Sequence, residues 1–363
     1  MKSKKAIIVE FYTSHDFIMQ SQISYLLDSG YQTYLWINKD LPFNNIFGFD
    51  VKIIRYSAST GREQRNFSRA LMNFITENHI DTLIINSAHG KFVRNFCIFS
   101  KIKKLNVVGN LHLANKLKGS FNQKLISLEI KKYFVLADYI FENCQEIKSK
   151  HMQLCSYYRL LPKKFFYQPT TVPDNKDFII CIPGEISPYR RNYYFLIDFI
   201  KQYNDCLDKR IKFELLGNAR IKEGYPIIDA IKSSNYRDRF IFYDYYLPDE
   251  VFFSRLKQCN IITPLIDNRV PNFTMYSRFQ ISGAFDLAYI FQKPLLLYSS
   301  FEHIPEFRNI SIFYNEFEFS NFLNNLLDNY ETVNQKALTA YQTYERYNYE
   351  KQRTKYIKFI EEE

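Results

Sequence analysis

No window in these 363 residues approaches the roughly 18–20 uninterrupted apolar positions that a membrane-crossing helix requires, which excludes a helical span. The six cysteines (Cys97, Cys144, Cys155, Cys181, Cys206 and Cys259) include no close pair and no zinc-ligand spacing. That excludes a disulfide scaffold or zinc ribbon and reads as reduced cytoplasmic thiols, mostly core filler. There is no internal tandem repeat and no low-complexity linker. The opening, Met1-Lys-Ser-Lys-Lys-Ala-Ile-Ile-Val-Glu10, has too few apolar residues before Glu10 for a secretory leader and reads as a first strand. Basic residues are plentiful, but none belongs to a recognisable RNA- or DNA-binding module, so nucleic acid is not an expected partner.

What is present suits two domains: the chain is long for one core, and 46% of it is hydrophobic. The 34 Phe and 29 Tyr carry no functional reading by themselves. A net charge of +10 and a pI near 9.0 favour an anionic partner, such as a nucleoside diphosphate or an acidic membrane face.

Ala6-Ile-Ile-Val9 is a buried strand, followed by a loop holding His15 and Asp16, a helix ending at Gly30, and an alternating strand from Tyr31 to Ile37. This order is a βαβ unit and implies a parallel sheet. His15 and Asp16 either cap the helix or face a ligand. Strands at Val51–Tyr56, Thr82–Asn86 and from Asn106 continue the pattern, placing His89 and His112 at strand carboxyl ends, where open α/β sheets bind ligands. The segment Lys116–Lys124, continuing into Ile130–Phe134, and the cluster Tyr157–Tyr167 both interleave lysine or arginine with apolar residues. Such segments fit an anionic lipid surface or a solvated helix face. Two of them in one half favour peripheral membrane contact.

Gln168–Asn175, with two prolines, is the linker candidate. A strand at Phe178–Ile182 begins a second sheet. Its following loop carries adjacent Arg190 and Arg191, whose guanidinium forks suit a diphosphate. Asp267–Gln280 reads as a polar loop containing Arg278, ordered by a ligand. It leads to Ser282-Gly283, which opens an apolar helix closed by Pro294. A helix starting with Ser-Gly offers free N–H groups and no Cβ to obstruct an anion.

In chain order, Gly184-Glu-Ile-Ser-Pro-Tyr-Arg-Arg191, Leu215-Leu-Gly217 and Gln292-Lys-Pro-Leu295 resemble the donor-nucleotide domain of GT-B-fold glycosyltransferases, above all the retaining family-4 type. In that domain a Gly-Arg-loop-Lys-Gly segment, a strand ending in Val-Gly, and a helix before a Gly-Lys-Pro-Val strand follow one another. His112, the helix-rich Phe121–Phe134 and the Ala137-Asp-Tyr-Ile-Phe-Glu-Asn143 stretch, read as a strand, match the family's first domain. The resemblance covers most of the chain. It departs at Glu185, where the family has Arg, and at Leu287, where the second member of an acidic pair would stand.

The resemblance implies two Rossmann-like doubly wound domains facing a cleft, residues 1–170 and 171–335, with a terminal helix, 336–363, returning to the first. Tyr341, Tyr344, Tyr347 and Tyr356 would supply that helix's packing face. It implies a nucleotide-sugar donor held by Gly184, Arg190, Arg191, Gly217, Asn218, Arg278, Ser282 and Gly283. His112 would be the catalytic residue, with His15, Asp16 and His89 on the acceptor side. The activity implied is retaining transfer to a glycan or lipid-linked acceptor in surface polysaccharide synthesis, without a metal. A non-catalytic sugar-nucleotide binder and a sugar-nucleotide epimerase of the same fold remain open alternatives.

Overall fold

Ala6, Ile7, Ile8 and Val9 are fully buried. A parallel strand covered by helices on both faces cannot alternate polar and apolar residues, so it reads as one continuous apolar run. The computed structural model describes residues 4–100, 102–162, 165, 177–218, 222–315 and 319–362. They fall into two units. The first comprises Met1–Phe165, Arg278–Gln280 and Asn348–Glu363, and the second Phe166–Ser277 and Ile281–Tyr347. The expected linker, Gln168–Asn175, lies outside the described residues.

The first unit runs β1 (Lys5–Glu10), α1 (Asp16–Leu27), β2 (Gln32–Asn38), β3 (Lys52–Tyr56), α2 (Gly61–Glu77), β4 (Thr82–Ile85), α3 (Gly90–Phe99) and β5 (Asn106–Asn110). It continues through α4 (Phe121–Glu129), β6 (Lys132–Val135), α5 (Asp138–Gln145) and β7 (Gln153–Ser156). All seven strands are parallel, in the order β3-β2-β1-β4-β5-β6-β7. Helix α2 shows how local sequence sets these elements. Thr60 Oγ1 accepts from the Glu63 N–H while the Glu63 carboxylate accepts from the Thr60 N–H, a capping box. Phe67, Leu71 and Ile75, four residues apart, form its buried stripe.

The second unit holds β8 (Phe178–Pro183), α6 (Tyr193–Tyr203), β9 (Ile211–Asn218), α7 (Tyr225–Lys232), β10 (Phe240–Tyr243), α8 (Asp249–Gln258) and β11 (Ile261–Ile262). Then come α9 (Phe273–Arg278, its last residue assigned to the first unit), α10 (Gly283–Phe291), β12 (Leu295–Tyr298), β13 (Ser311–Tyr314), α11 (Phe319–Asp328) and α12 (Tyr330–Thr343). Its six parallel strands are ordered β10-β9-β8-β11-β12-β13, the doubly wound dinucleotide-fold order. In both sheets the strand order reverses beside the first strand, at β1/β4 and at β8/β11. Ligands of such sheets bind in the crevice at that switch point, outside the carboxyl ends.

Helix α13 (Tyr349–Glu361) belongs to the first unit. Tyr356 stacks on Phe134 at 4.3 Å and Phe359 packs edge-on to the same ring. Burying each such ring contributes roughly 1.5–3 kcal/mol. The single terminal helix expected over 336–363 is instead two, α12 and α13. Asn348 caps α13 by accepting from the Lys351 N–H, and Tyr341 and Tyr347 pack in the second unit against Lys293 O, Tyr289 and Glu306. Only Tyr356 of the four tyrosines joins the first unit's core.

Three further readings are corrected. Lys132–Val135, expected within a helix, is a fully buried strand, and Ala137-Asp-Tyr-Ile-Phe-Glu-Asn143, expected as a strand, is the start of α5. Tyr157, Tyr158, Leu160 and Leu161 are core residues, and Arg159 is buried with its guanidinium over the Phe17 ring, so these five residues do not form a lipid-facing surface. Lys163 and Lys164 lie outside the described residues.

Candidate functional site

Three neighbouring strands of the first sheet end their apolar runs on polar residues: β1 on Glu10, β4 running into Asn86-Ser87, and β5 on Asn110. These side chains meet at the β1/β4 switch point. The Glu10 carboxylate, wholly buried, accepts from the Tyr12 N–H (2.9 Å), Asn86 Nδ2 (2.7 Å) and Ser87 Oγ (2.6 Å). Burial outweighs these bonds and raises its pKa from 4.5 to about 7. Asn86 Nδ2 also donates to His15 O (3.1 Å), tying the loop after β1 to the end of β4.

His112 stands on the Asn86 backbone, its Nε2 2.6 Å from Asn86 O. A carbonyl only accepts, so Nε2 carries the proton and the neutral ring keeps Nδ1 as an acceptor. Burial, then the neighbouring His15 and His89, hold the His112 pKa well below the ordinary 6.5. The His15 ring lies parallel to it at 3.9 Å, and the His89 ring stands edge-on at 6.4 Å. His15 itself is the N-cap of α1 with φ 70°, and Asp16 opens that helix, where its charge suits the dipole. His89 precedes α3, and Nδ1 of its ring is buried without a hydrogen-bond partner. Burial, Lys116 and His15 lower its pKa to about 4. Tyr12 Oη donates to His89 O (2.8 Å), and a Cβ on Gly90 would lie 2.3 Å from that hydroxyl. Thus His15, His89 and His112 do come together. Among the described residues, no group of three or more His, Cys, Asp or Glu side chains is placed to hold a metal ion.

At the second sheet, two glycines explain themselves sterically. Gly184, just past β8, has φ 98°, and a Cβ on Gly217 would fall 2.1 Å from Gly184 O. Backbone therefore rests on backbone at the carboxyl ends of β8 and β9, with Asn218 closing β9. The expected pair of free arginine forks is corrected. Arg191 is buried, donating from Nη2 to Pro183 O (2.6 Å) and from Nη1 to Glu185 O (3.0 Å), so it staples the loop. Arg190 is exposed and lies 3.5 Å from the Glu185 carboxylate, leaving one guanidinium on the surface. Across the β8/β11 switch, Asn192 Nδ2 donates to buried Asp267 (2.6 Å), which also pairs with Arg269 at 2.5 Å.

Ser282 caps α10, its Oγ 3.4 Å from the Ala284 N–H, and Gly283 is exposed with nothing within 4 Å of a Cβ built there. From Ala284 to Ile290 the helix is buried all round, and it packs against β8 and β11. Arg278 is assigned to the first unit. It ends a helix where a loop was expected, and its Nε donates to Asn143 Oδ1 (2.9 Å) within the first unit.

Sequence reasoning overlooked Glu10, Tyr12 and Asn86. The available signal was a polar residue terminating each of three apolar strand runs.

No protein-family model and no curated protein sequence matches the chain. Solved structures do, with low identity over nearly full length. Sucrose-phosphate synthase from Thermosynechococcus elongatus aligns with TM-score 0.71 at 12% identity, covering 98% of each chain. Anabaena Alr3699/HepE, crystallised with UDP and glucose, aligns with TM-score 0.70 at 12% identity, again over 98% of each. The lipopolysaccharide outer core galactosyltransferase WaaB aligns with TM-score 0.60 at 10% identity, over 98% of this chain and 99% of that one. The fold of this chain is thus that of GT-B structures, with two Rossmann-like units.

Proposed function

We propose that this chain is a glycosyltransferase that moves a sugar from a nucleoside-diphosphate sugar to a glycan or lipid-linked acceptor of surface polysaccharide synthesis. The observation that carries the reading is the cradle of the second unit. Gly184 and Gly217 bring bare backbone to the carboxyl edge, Arg190 stands exposed above it, and α10 opens with exposed Gly283. Backbone N–H groups, a helix dipole and one guanidinium together suit a diphosphate. HepE, which shares the fold, was crystallised with UDP and with UDP-glucose.

In this reading Ser282, Gly283 and Arg190 meet the charge that develops on the departing diphosphate, so no metal is called on. Arg191 acts one step back, fixing the loop. On the acceptor side, neutral His112 offers Nδ1 to a sugar hydroxyl while Asn86 O fixes its ring, and His15, Asp16 and His89 border it. Transfer with retention at the anomeric carbon follows from the family resemblance. The non-catalytic alternative keeps one specific support, the Glu185 carboxylate beside Arg190.

A thermal-shift screen over nucleoside-diphosphate sugars, followed by NMR of the best one, tests this. Ligand at about 100 times Kd adds ~2.7 kcal/mol to stability, a clear rise in Tm. The expected result is one stabilising donor that is slowly hydrolysed to its nucleoside diphosphate without acceptor. Stabilisation with the donor left intact, with or without added glycan, indicates the non-catalytic binder. Inversion at a sugar carbon on the intact donor indicates an epimerase.

A further inference from the structure

Between Gly90 and Lys132 the chain carries ten lysines and arginines and a single carboxylate, Glu129, against a formal net charge of +10 for all 363 residues. Nearly the whole charge excess therefore falls in this stretch of the sequence, which contains α3 and α4. The same two helices hold four of the largest exposed apolar side chains: Ile98 is 50% exposed, Phe99 80%, Phe121 69% and Leu128 62%. Scattered exposed apolar residues are ordinary, whereas a grouped set marks a contact surface.

These four are grouped. Helix α3 links β4 to β5 and α4 links β5 to β6, so the two run side by side in one direction over adjacent parallel strands. Arg94 Nη1 joins Asn122 Oδ1 at 2.8 Å near the start of α4, and the Cys97 thiol feels the Glu129 carboxylate near its end. Ile98 and Phe99 end α3, and Leu128 lies in the last turn of α4, on two helices packed against each other. On α4, Phe121, Lys124 and Leu128 fall on one exposed stripe, two turns long. Lys91, Lys118 and Lys124 are exposed around it.

We propose that this α3–α4 face docks on an anionic lipid bilayer, with Phe99, Phe121, Ile98 and Leu128 entering the interface and the lysines meeting lipid phosphates. Aromatic and aliphatic side chains on an exposed helical face, accompanied by exposed lysines, match the interface of a bilayer, where apolar insertion and attraction to acidic headgroups add. The surface differs from the one suggested by the Tyr157–Tyr167 stretch, whose described apolar residues are core. It does not rest on the glycosyl-transfer reading, because binding needs neither donor nor acceptor.

The test is co-sedimentation of the full chain with phosphatidylcholine vesicles, with and without phosphatidylglycerol, at low and high salt. Two double variants accompany it, Phe99→Ser with Phe121→Ser and Lys118→Gln with Lys124→Gln. All four positions are exposed, and circular dichroism checks that the variants fold. The expected result is binding to the acidic vesicles alone, weakened by salt, and lowered at least tenfold by either double variant. Equal sedimentation with both vesicles, or variants that bind as wild type does, overturns the proposal. So does sedimentation velocity showing a dimer of the free protein that the Phe99→Ser/Phe121→Ser variant dissociates, since the face then belongs to a second copy.

Discussion

His112→Ala is expected to lower turnover by about two orders of magnitude while donor KM stays within about threefold, the pattern of an interaction made chiefly in the transition state. The size follows from the geometry. The ring is buried, fixed through Nε2 to Asn86 O and held neutral, so no water can take its place in the same orientation. His112→Asn keeps a donor for Asn86 O but cannot put an acceptor where Nδ1 stands, and it is expected to fold without recovering the rate. Steady-state kinetics of both variants decide this. Wild-type turnover by either one removes His112 from the reacting centre.

The second large effect is on stability against pH. The Glu10 pKa rises from 4.5 to about 7 in the folded chain. Between those values the folded state holds a proton that the unfolded chain has released, so the stabilising contribution is whole below pH 4.5 and is lost as pH rises through 7. The full loss is ~3 kcal/mol, at 1.36 kcal/mol per pKa unit. His89, lowered from 6.5 to about 4, acts at the other end, and His112 shifts in the same direction. As pH falls below 6.5 the unfolded chain gains protons that these buried rings refuse, so stability is lost toward acid. Glu10→Gln removes the first limb and leaves the second. Urea midpoints are expected to show the variant gaining on the wild type by ~3 kcal/mol from about pH 4.5 to about pH 8. Parallel curves would mean that Glu10 titrates as an ordinary carboxyl.

The parallel-sheet architecture was legible because apolar runs such as Ala6–Val9 and Leu295–Leu297 admit few other readings, and Ser282-Gly283 marks its helix start by cap chemistry. The environment of His112 was legible only as a position. That a strand ends on Glu10 is visible in the chain; that Glu10 reaches Asn86 and Ser87 depends on β1 lying beside β4, a pairing of residues far apart in sequence. Arg190 and Arg191 were indistinguishable as neighbours in a loop. Only the fold shows that one faces solvent while the other turns in to bond Pro183 O and Glu185 O. Lys132–Val135 was misread for a related reason. Its lysine resembles a helix surface residue, yet Lys132 Nζ donates to Ile360 O and Glu362 O at the end of α13, a partner more than two hundred residues away.

The central claim is that the carboxyl edge of the second sheet holds a nucleoside diphosphate, and isothermal calorimetry with UDP and UMP tests it most directly. A charge-assisted contact to phosphate contributes roughly 1.5–3 kcal/mol, and ~1.4 kcal/mol is one decade in affinity. UDP is expected to bind at least tenfold more tightly than UMP, and Arg190→Ala to weaken UDP about tenfold while changing UMP little. No binding heat from UDP, or equal affinities for UDP and UMP that Arg190→Ala leaves unaltered, would contradict the assignment.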